Sequence, residues 1–177
     1  MPSEIRGSSN FDSDSAGKVL QVVTHRSDSK GVYSTGNEHF PTEWSITVTP
    51  KSATSMLILT CSLSLETSYN TTIKINKNGS VITDSGYEGY NSIAGNQRWS
   101  GFAFGDIYDT DVATTPNTKT FQYFVPSGNT SARSYDISVR TSDSTNKTLW
   151  VNRSANNGGA DDVENGVSVM TVMEIAQ

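Results

Sequence analysis

Two groups of carboxylates carry the residue types and spacing closest to chemistry: Asp106, Asp109 and Asp111 in GDIYDTD, and Asp161, Asp162 and Glu164 in GADDVEN. Two carboxyls facing each other across roughly 5–9 Å hydrolyse glycosides, one as acid and the other as nucleophile or base. Clustered oxygens also attract calcium, but neither group follows the EF-hand loop. Both lie in turn-like sequence, where Asp recurs because its side chain closes local backbone turns. They are expected to be solvated loop carboxylates, and the chain is expected to be no enzyme and to need no metal or cofactor.

The remaining reactive residue types point the same way. His25 and His39 are the two histidines, and neither falls in an HExxH or CxxC…HxxxH spacing that would ligate zinc. Serine is abundant, yet there is no GxSxG elbow and no glycine-rich phosphate loop. Cys61 is the single cysteine, so no internal disulfide forms. In SMLILTCSLSL strand alternation sets Leu57, Leu59, Cys61, Leu63 and Leu65 on one face and Ile58, Thr60, Ser62 and Ser64 on the other. Cys61 is thus expected in the core, with a thiol too buried to react.

The elements that would position these residues are short strands. KVLQVVT, WSITVTP, SMLILTCSLSL, TTIKINKNGSVIT, QRWSGFAFGD, KTFQYFVP, RSYDISVR, TLWVNRS and GVSVMTVMEIA alternate apolar and polar residues between turn signals. Asn78-Gly79 predicts a tight hairpin after Ile73 and Ile75, which alternate with Lys74. In RSYDISVR, Tyr135, Ile137 and Val139 face inward, and Ser134, Asp136, Ser138 and Arg140 face solvent. GVSVMTVMEIA differs, because Val169, Met170, Val172 and Met173 load both of its faces; that strand is expected to be covered by the core and by another subunit or segment. Trp99, Phe102, Phe104, Phe121, Tyr123 and Phe124 also exceed what one face of a small core needs, which fits either an oligomer interface around a cyclic axis or the core of a wide sandwich.

The pattern predicts an all-β chain, an antiparallel sandwich of the jelly-roll kind over residues 18–177, preceded by an extended arm over residues 1–17. MPSEIRGSSNFDSDSAG has no period and little to bury, and its isolated Ile5 and Phe11 are the side chains by which such an arm would anchor. Ser27–Thr42, Asp84–Asn96, Asp106–Thr118 and Ser154–Asn165 read as loops. Within YEGYNSIAGNQRW, the residues Tyr87, Tyr90, Asn91, Asn96, Arg98 and Trp99 combine aromatic faces with amide and guanidinium donors, a set suited to a glycan or protein surface.

With 13 Lys/Arg against 18 Asp/Glu, a net charge of −5 and no basic cluster, the chain lacks what a phosphate backbone requires, so no nucleic-acid partner is expected. No apolar run reaches the ~20 residues that span a bilayer, and residues 1–17 have no apolar signal core; neither membrane insertion nor export is expected, and the Asn-x-Ser/Thr triplets read as composition.

SEIRGSS, GKVLQVV, SITVTPKSATSMLIL, VNRS and TVMEIA, in this order along nearly the whole chain, resemble a family of β-sandwich domains of tailed bacteriophages, found at tail-fibre ends or as short virion proteins and common in marine and cyanobacterial phages. The resemblance implies a homotrimeric virion structural protein, made in the host cytoplasm, that contacts other virion proteins and, through its loops, a host-surface glycan or protein. It carries no catalytic residue to this chain. A tail-fibre-like receptor-binding knob is the leading expectation. A capsid decoration protein is the alternative, since fibre proteins of this kind usually have a long shaft before the domain, and a glycan depolymerase is a distant third.

Overall fold

The computed structural model describes residues 17–34, 39–82, 103–105, 115–141, 147–156 and 164–177. Among them are eleven strands: β1 (Val19–Ser27), β2 (Gly31–Ser34), β3 (Ser45–Val48), β4 (Met56–Thr67), β5 (Thr71–Lys77), β6 (Ser80–Val81), β7 (Ala103–Gly105), β8 (Asn117–Pro126), β9 (Arg133–Thr141), β10 (Thr148–Val151) and β11 (Ser168–Ile175). The fold is all-β, in two antiparallel sheets. One contains β1-β11-β4-β10-β2, with β8 on the other edge of β4; the other runs β3-β9-β5, with the short β6 and β7 both along the far edge of β5.

The pairing is nested. β1 pairs with β11 and β2 with β10; inside them β3 pairs with β9, then β4 with β8, then β5 with β6 and β7. The chain is thus one long antiparallel hairpin whose successive pairs fall alternately in the two sheets. β4 then takes β11 and β10 on its second edge, and β5 takes β9. β1 and β2 run in the same sense along one line interrupted at Asp28–Lys30, as do β10 and β11 across residues 152–167.

The two sheets share one apolar core. Leu57, Leu59, Cys61, Leu63 and Leu65 of β4 all face it, with at most 1% of each exposed, as the alternation predicts. Opposite them lie Ile46, Val48, Ile73, Ile75, Tyr135, Ile137 and Val139 of the second sheet, and Trp44 before β3. Burial pushes the Cys61 thiol up to about 12, so it stays a protonated core side chain.

The turns follow from local chemistry. Asn78 and Gly79 take φ of 52° and 76°, the two left-handed residues of a type I′ hairpin, which joins β5 to β6 with Lys77 opposite Ser80. After β8, buried Arg133 donates to the carbonyls of Ser127 (2.6 Å) and Asn129 (2.8 Å), fixing the turn into β9 with its guanidinium. Between β3 and β4, the carboxylate of Glu174 accepts the backbone N–H of Lys51 and Ser52, the Ser55 hydroxyl and the Gln21 amide. Burial by itself would raise its pKa, but these donors outweigh that and hold it below the ordinary value.

Three expectations change. The stretch Ser27–Thr42 is not one loop, because Gly31–Ser34 forms β2 against β10; its Gly and Ser mask a strand whose reason is tertiary. The stretch Asp106–Thr118 gives its last two residues to β8. Ser138, placed on the solvent face by alternation, is buried, and so is Lys74. β5 is an interior strand, buried along both faces from Thr71 to Asn76, and Asn76 donates to the Ser138 hydroxyl at 2.8 Å.

Candidate functional site

Directly opposed residues of an antiparallel ladder present their side chains on the same face, so register turns four strands into rows. Across β1, β11, β4 and β8 the outward rows are Val19–Ile175–Met56–Pro126 and Val22–Met173–Ile58–Phe124, then Thr24–Thr171–Thr60–Gln122, then Arg26–Val169–Ser62–Thr120. Two complete rows are apolar and a third is neutral. Val19, Val22 and Phe124 are 47%, 54% and 45% exposed, while Met56, Ile58, Met173 and Ile175 are half-buried. In the third row the hydroxyls of Thr24 and Thr171 bond at 3.2 Å and Gln122 donates to Thr60 at 3.2 Å. Arg26 is the one charged member of the four rows, and it reaches Asp28 at 3.5 Å.

The outward face of the second sheet is the opposite. Its register places Ser45, Asp136 and Asn76 in one row, Thr47 and Ser134 in the next, and Ser138 with Lys74 and Arg140 with Thr72 beyond. Every member is polar or charged, and several bond to one another, Ser45 to Asp136 at 2.6 Å among them. An antiparallel sheet ordinarily solvates a face made of such residues, but here Thr72, Lys74, Asn76 and Ser138 are buried and only part of the face meets water. The outward face of the first sheet instead carries a contiguous, partly exposed apolar patch.

At the far end of β4 from these rows lies a second group. The Tyr33 hydroxyl sits 2.9 and 2.7 Å from the two oxygens of Glu43, the His39 ring stacks on Tyr33 with centroids 4.3 Å apart, and His25 Nε2 lies 3.2 Å from the Glu43 carbonyl. Gly31 opens the space: a Cβ there would meet the Tyr33 ring and the Glu43 carboxylate. Burial raises the Tyr33 pKa, and the bond to Glu43 and its charge raise it further; burial lowers that of His39 against the pull of Glu43. A phenol held protonated by a carboxylate and an imidazole held neutral make poor proton donors. This arrangement ties the chain from residue 39 to residue 43 onto β2.

The residues singled out from sequence fall differently. Tyr87, Tyr90, Asn91, Asn96, Arg98 and Trp99, like Ile5 and Phe11, lie outside the described residues, as do Asp106, Asp109, Asp111, Asp161 and Asp162. Phe121 and Tyr123 face the core and Phe124 faces outward, so KTFQYFVP does load both faces. In β11, Met170 and Val172 are buried while Val169 and Met173 stand on the outward rows. Missed from the sequence was the joining of β1, β4 and β8 to β11 in a single apolar surface. Its members were visible one by one, but register decides which of them share a face.

Among the described residues, no group of three or more His, Cys, Asp or Glu side chains is placed to hold a metal ion, and no helix is long and apolar enough to cross a membrane. No protein-family model matches the chain, and no curated protein matches it.

Proposed function

We propose that this chain is a bacteriophage virion structural protein: a homotrimeric, tail-fibre-like knob with a jelly-roll sandwich fold, whose loops contact the host surface. The observation that carries the reading is the nested pairing. With each interrupted strand counted once, the eight strand positions take the order 1-8-3-6 in one sheet and 2-7-4-5 in the other, the order that arises when a long hairpin is rolled into a double-sheet jelly roll. Viral shell and lectin-like domains use that architecture, though fold alone never fixes function. The resemblance of SEIRGSS, GKVLQVV, SITVTPKSATSMLIL, VNRS and TVMEIA to phage virion domains supplies the rest. An outer sheet face with two wholly apolar rows suits a protein that assembles.

In this reading Tyr87, Tyr90, Asn91, Asn96, Arg98 and Trp99 form the recognition surface, as glycan or protein epitopes favour aromatic faces beside amide donors. Adsorption of the purified protein to host cells tests it. Tyr90→Ala with Trp99→Ala should reduce binding at least tenfold while the melting temperature holds, and unchanged binding would remove that loop from the recognition surface.

A further inference from the structure

We infer that the outward face of β1, β11, β4 and β8 is the contact between copies of this chain, with Val19, Val22, Ile58, Phe124, Met173 and Ile175 at its centre. The inference deepens the homotrimer proposed above and rests on it for the number of copies.

The occupant follows from charge and shape. The chain is acidic, with a net charge of −5, so two copies approach at least electrostatic cost through a surface that carries none of that negative charge. The four outward rows meet the condition: two are wholly apolar, one is threonine and glutamine, and the last has only Arg26, already beside Asp28. The outward face of the second sheet fails it, with half-buried Asp136 and Arg140 in its rows and the β5 members Thr72, Lys74 and Asn76 already buried. A partner of opposite charge would select a charged face, whereas a neutral apolar one is what the centre of a homomeric interface requires.

The rows are also shaped for a broad contact. Two apolar rows cross four adjacent strands, a width of about 14 Å at about 4.8 Å between strands. Val22 and Phe124 stand at the two ends of one row and are among the most exposed apolar residues described, with half-buried Met173 and Ile58 between them. The neutral third row gives way to hydroxyls and then to Arg26, so the patch grades from an apolar centre to a polar margin, as interfaces do.

Mass in solution by light scattering behind size exclusion tests it on the full chain. The wild type should elute at three chain masses. Val22→Asp with Phe124→Asp should drop to one chain mass, a threefold fall, with the β spectrum kept; the milder Val22→Thr with Phe124→Thr should weaken association without any risk to folding, and Thr47→Asp on the opposite sheet should change nothing. A wild type and both double variants that all remain trimeric would overturn this face while leaving the trimer standing. A wild type at one chain mass at every concentration would overturn the trimer and the contact together. Association appearing only after residues 1–16 are deleted would show the face occupied by the chain's own N-terminal segment, and would also overturn the inference.

Discussion

Asn152 joins segments of this structure that lie far apart in sequence. It is wholly buried, takes a left-handed φ of 55°, and lies where the line of β10 breaks before β11. Its side-chain amide donates to the carbonyls of Ser27 (3.1 Å) and Ser29 (2.9 Å), which flank the break between β1 and β2, and its Oδ1 accepts the Ser168 hydroxyl at 2.6 Å. Ser168 Oγ in turn accepts the Trp44 indole N–H and the Ser64 backbone N–H, both at 2.9 Å. The two interruptions of the first sheet, with Trp44 ahead of β3, are thus joined through Asn152 and Ser168. Removing it strands several buried polar groups, each costing about 1–3 kcal/mol. Asn152→Ala should destabilise the fold by about 3 kcal/mol in urea unfolding, and Asn152→Gly, which relieves the backbone but not the lost bonds, should recover about 1 kcal/mol of that. The sequence displays VNRS as a string, yet nothing in it distinguishes this Asn from its many neighbours. Asn is abundant here, and only the meeting of distant carbonyls makes one of them central. Cys61 is the opposite case, readable at once because five alternating positions give it a side.

Elements were legible in proportion to how local their causes are. β4, β9 and β11 follow from alternation, and the β5–β6 hairpin from Asn78-Gly79, since each has its reason within a few residues. β2 escaped notice because Gly31–Ser34 offers two weak strand formers and a single alternation, and only β10 makes it a strand. Gly31 is in fact required there, as the Tyr33 ring folds back over it. The same logic governs the return into β11. A Cβ on Gly166 would collide with the Ser64 side chain, and its N–H donates to the Asn152 carbonyl at 3.1 Å. Gly166→Ala should therefore cost about 1–3 kcal/mol by overpacking. In a double-mutant cycle, Ser64→Gly should recover part of that loss, whereas additive effects would mean that the crowding is relieved elsewhere.

At the scale of the whole molecule, two titratable groups, buried Glu174 and half-buried His39, couple the fold to pH. Glu174 has its carboxyl held below the ordinary 4.5, so the stability it contributes is complete above that value and is lost as pH falls through the lower folded value. His39 is a base whose folded pKa lies below the ordinary 6.5; below that pH the unfolded chain takes the proton first, and stability falls until the folded imidazole also charges. The melting temperature should be flat from pH 8 to about 7, decline below about 6.5 and decline again below about 4.5, with His39→Phe removing the upper step and Glu174→Gln the lower one. A flat profile down to pH 4 would show that neither group titrates differently on unfolding. Both belong to tertiary contacts, Glu174 with the segment after β3 and His39 with Tyr33, so composition gave no sign of either.

The nested pairing is likewise a property of the whole chain. Alternation announces sheets and two-sided strands, but which strand lies beside which depends on contacts separated by a hundred residues or more, such as Val22 with Met173. The outward apolar rows inherit that dependence, so the assembly surface is less legible than the strands that build it. The reading of this chain as a host-recognising virion protein is tested most directly by gold-labelled antibody against it on intact phage particles in electron microscopy. The account predicts label at the tail or fibre tips. Label spread over the head would contradict it and make the chain a capsid decoration protein, and particles without label would remove it from the virion.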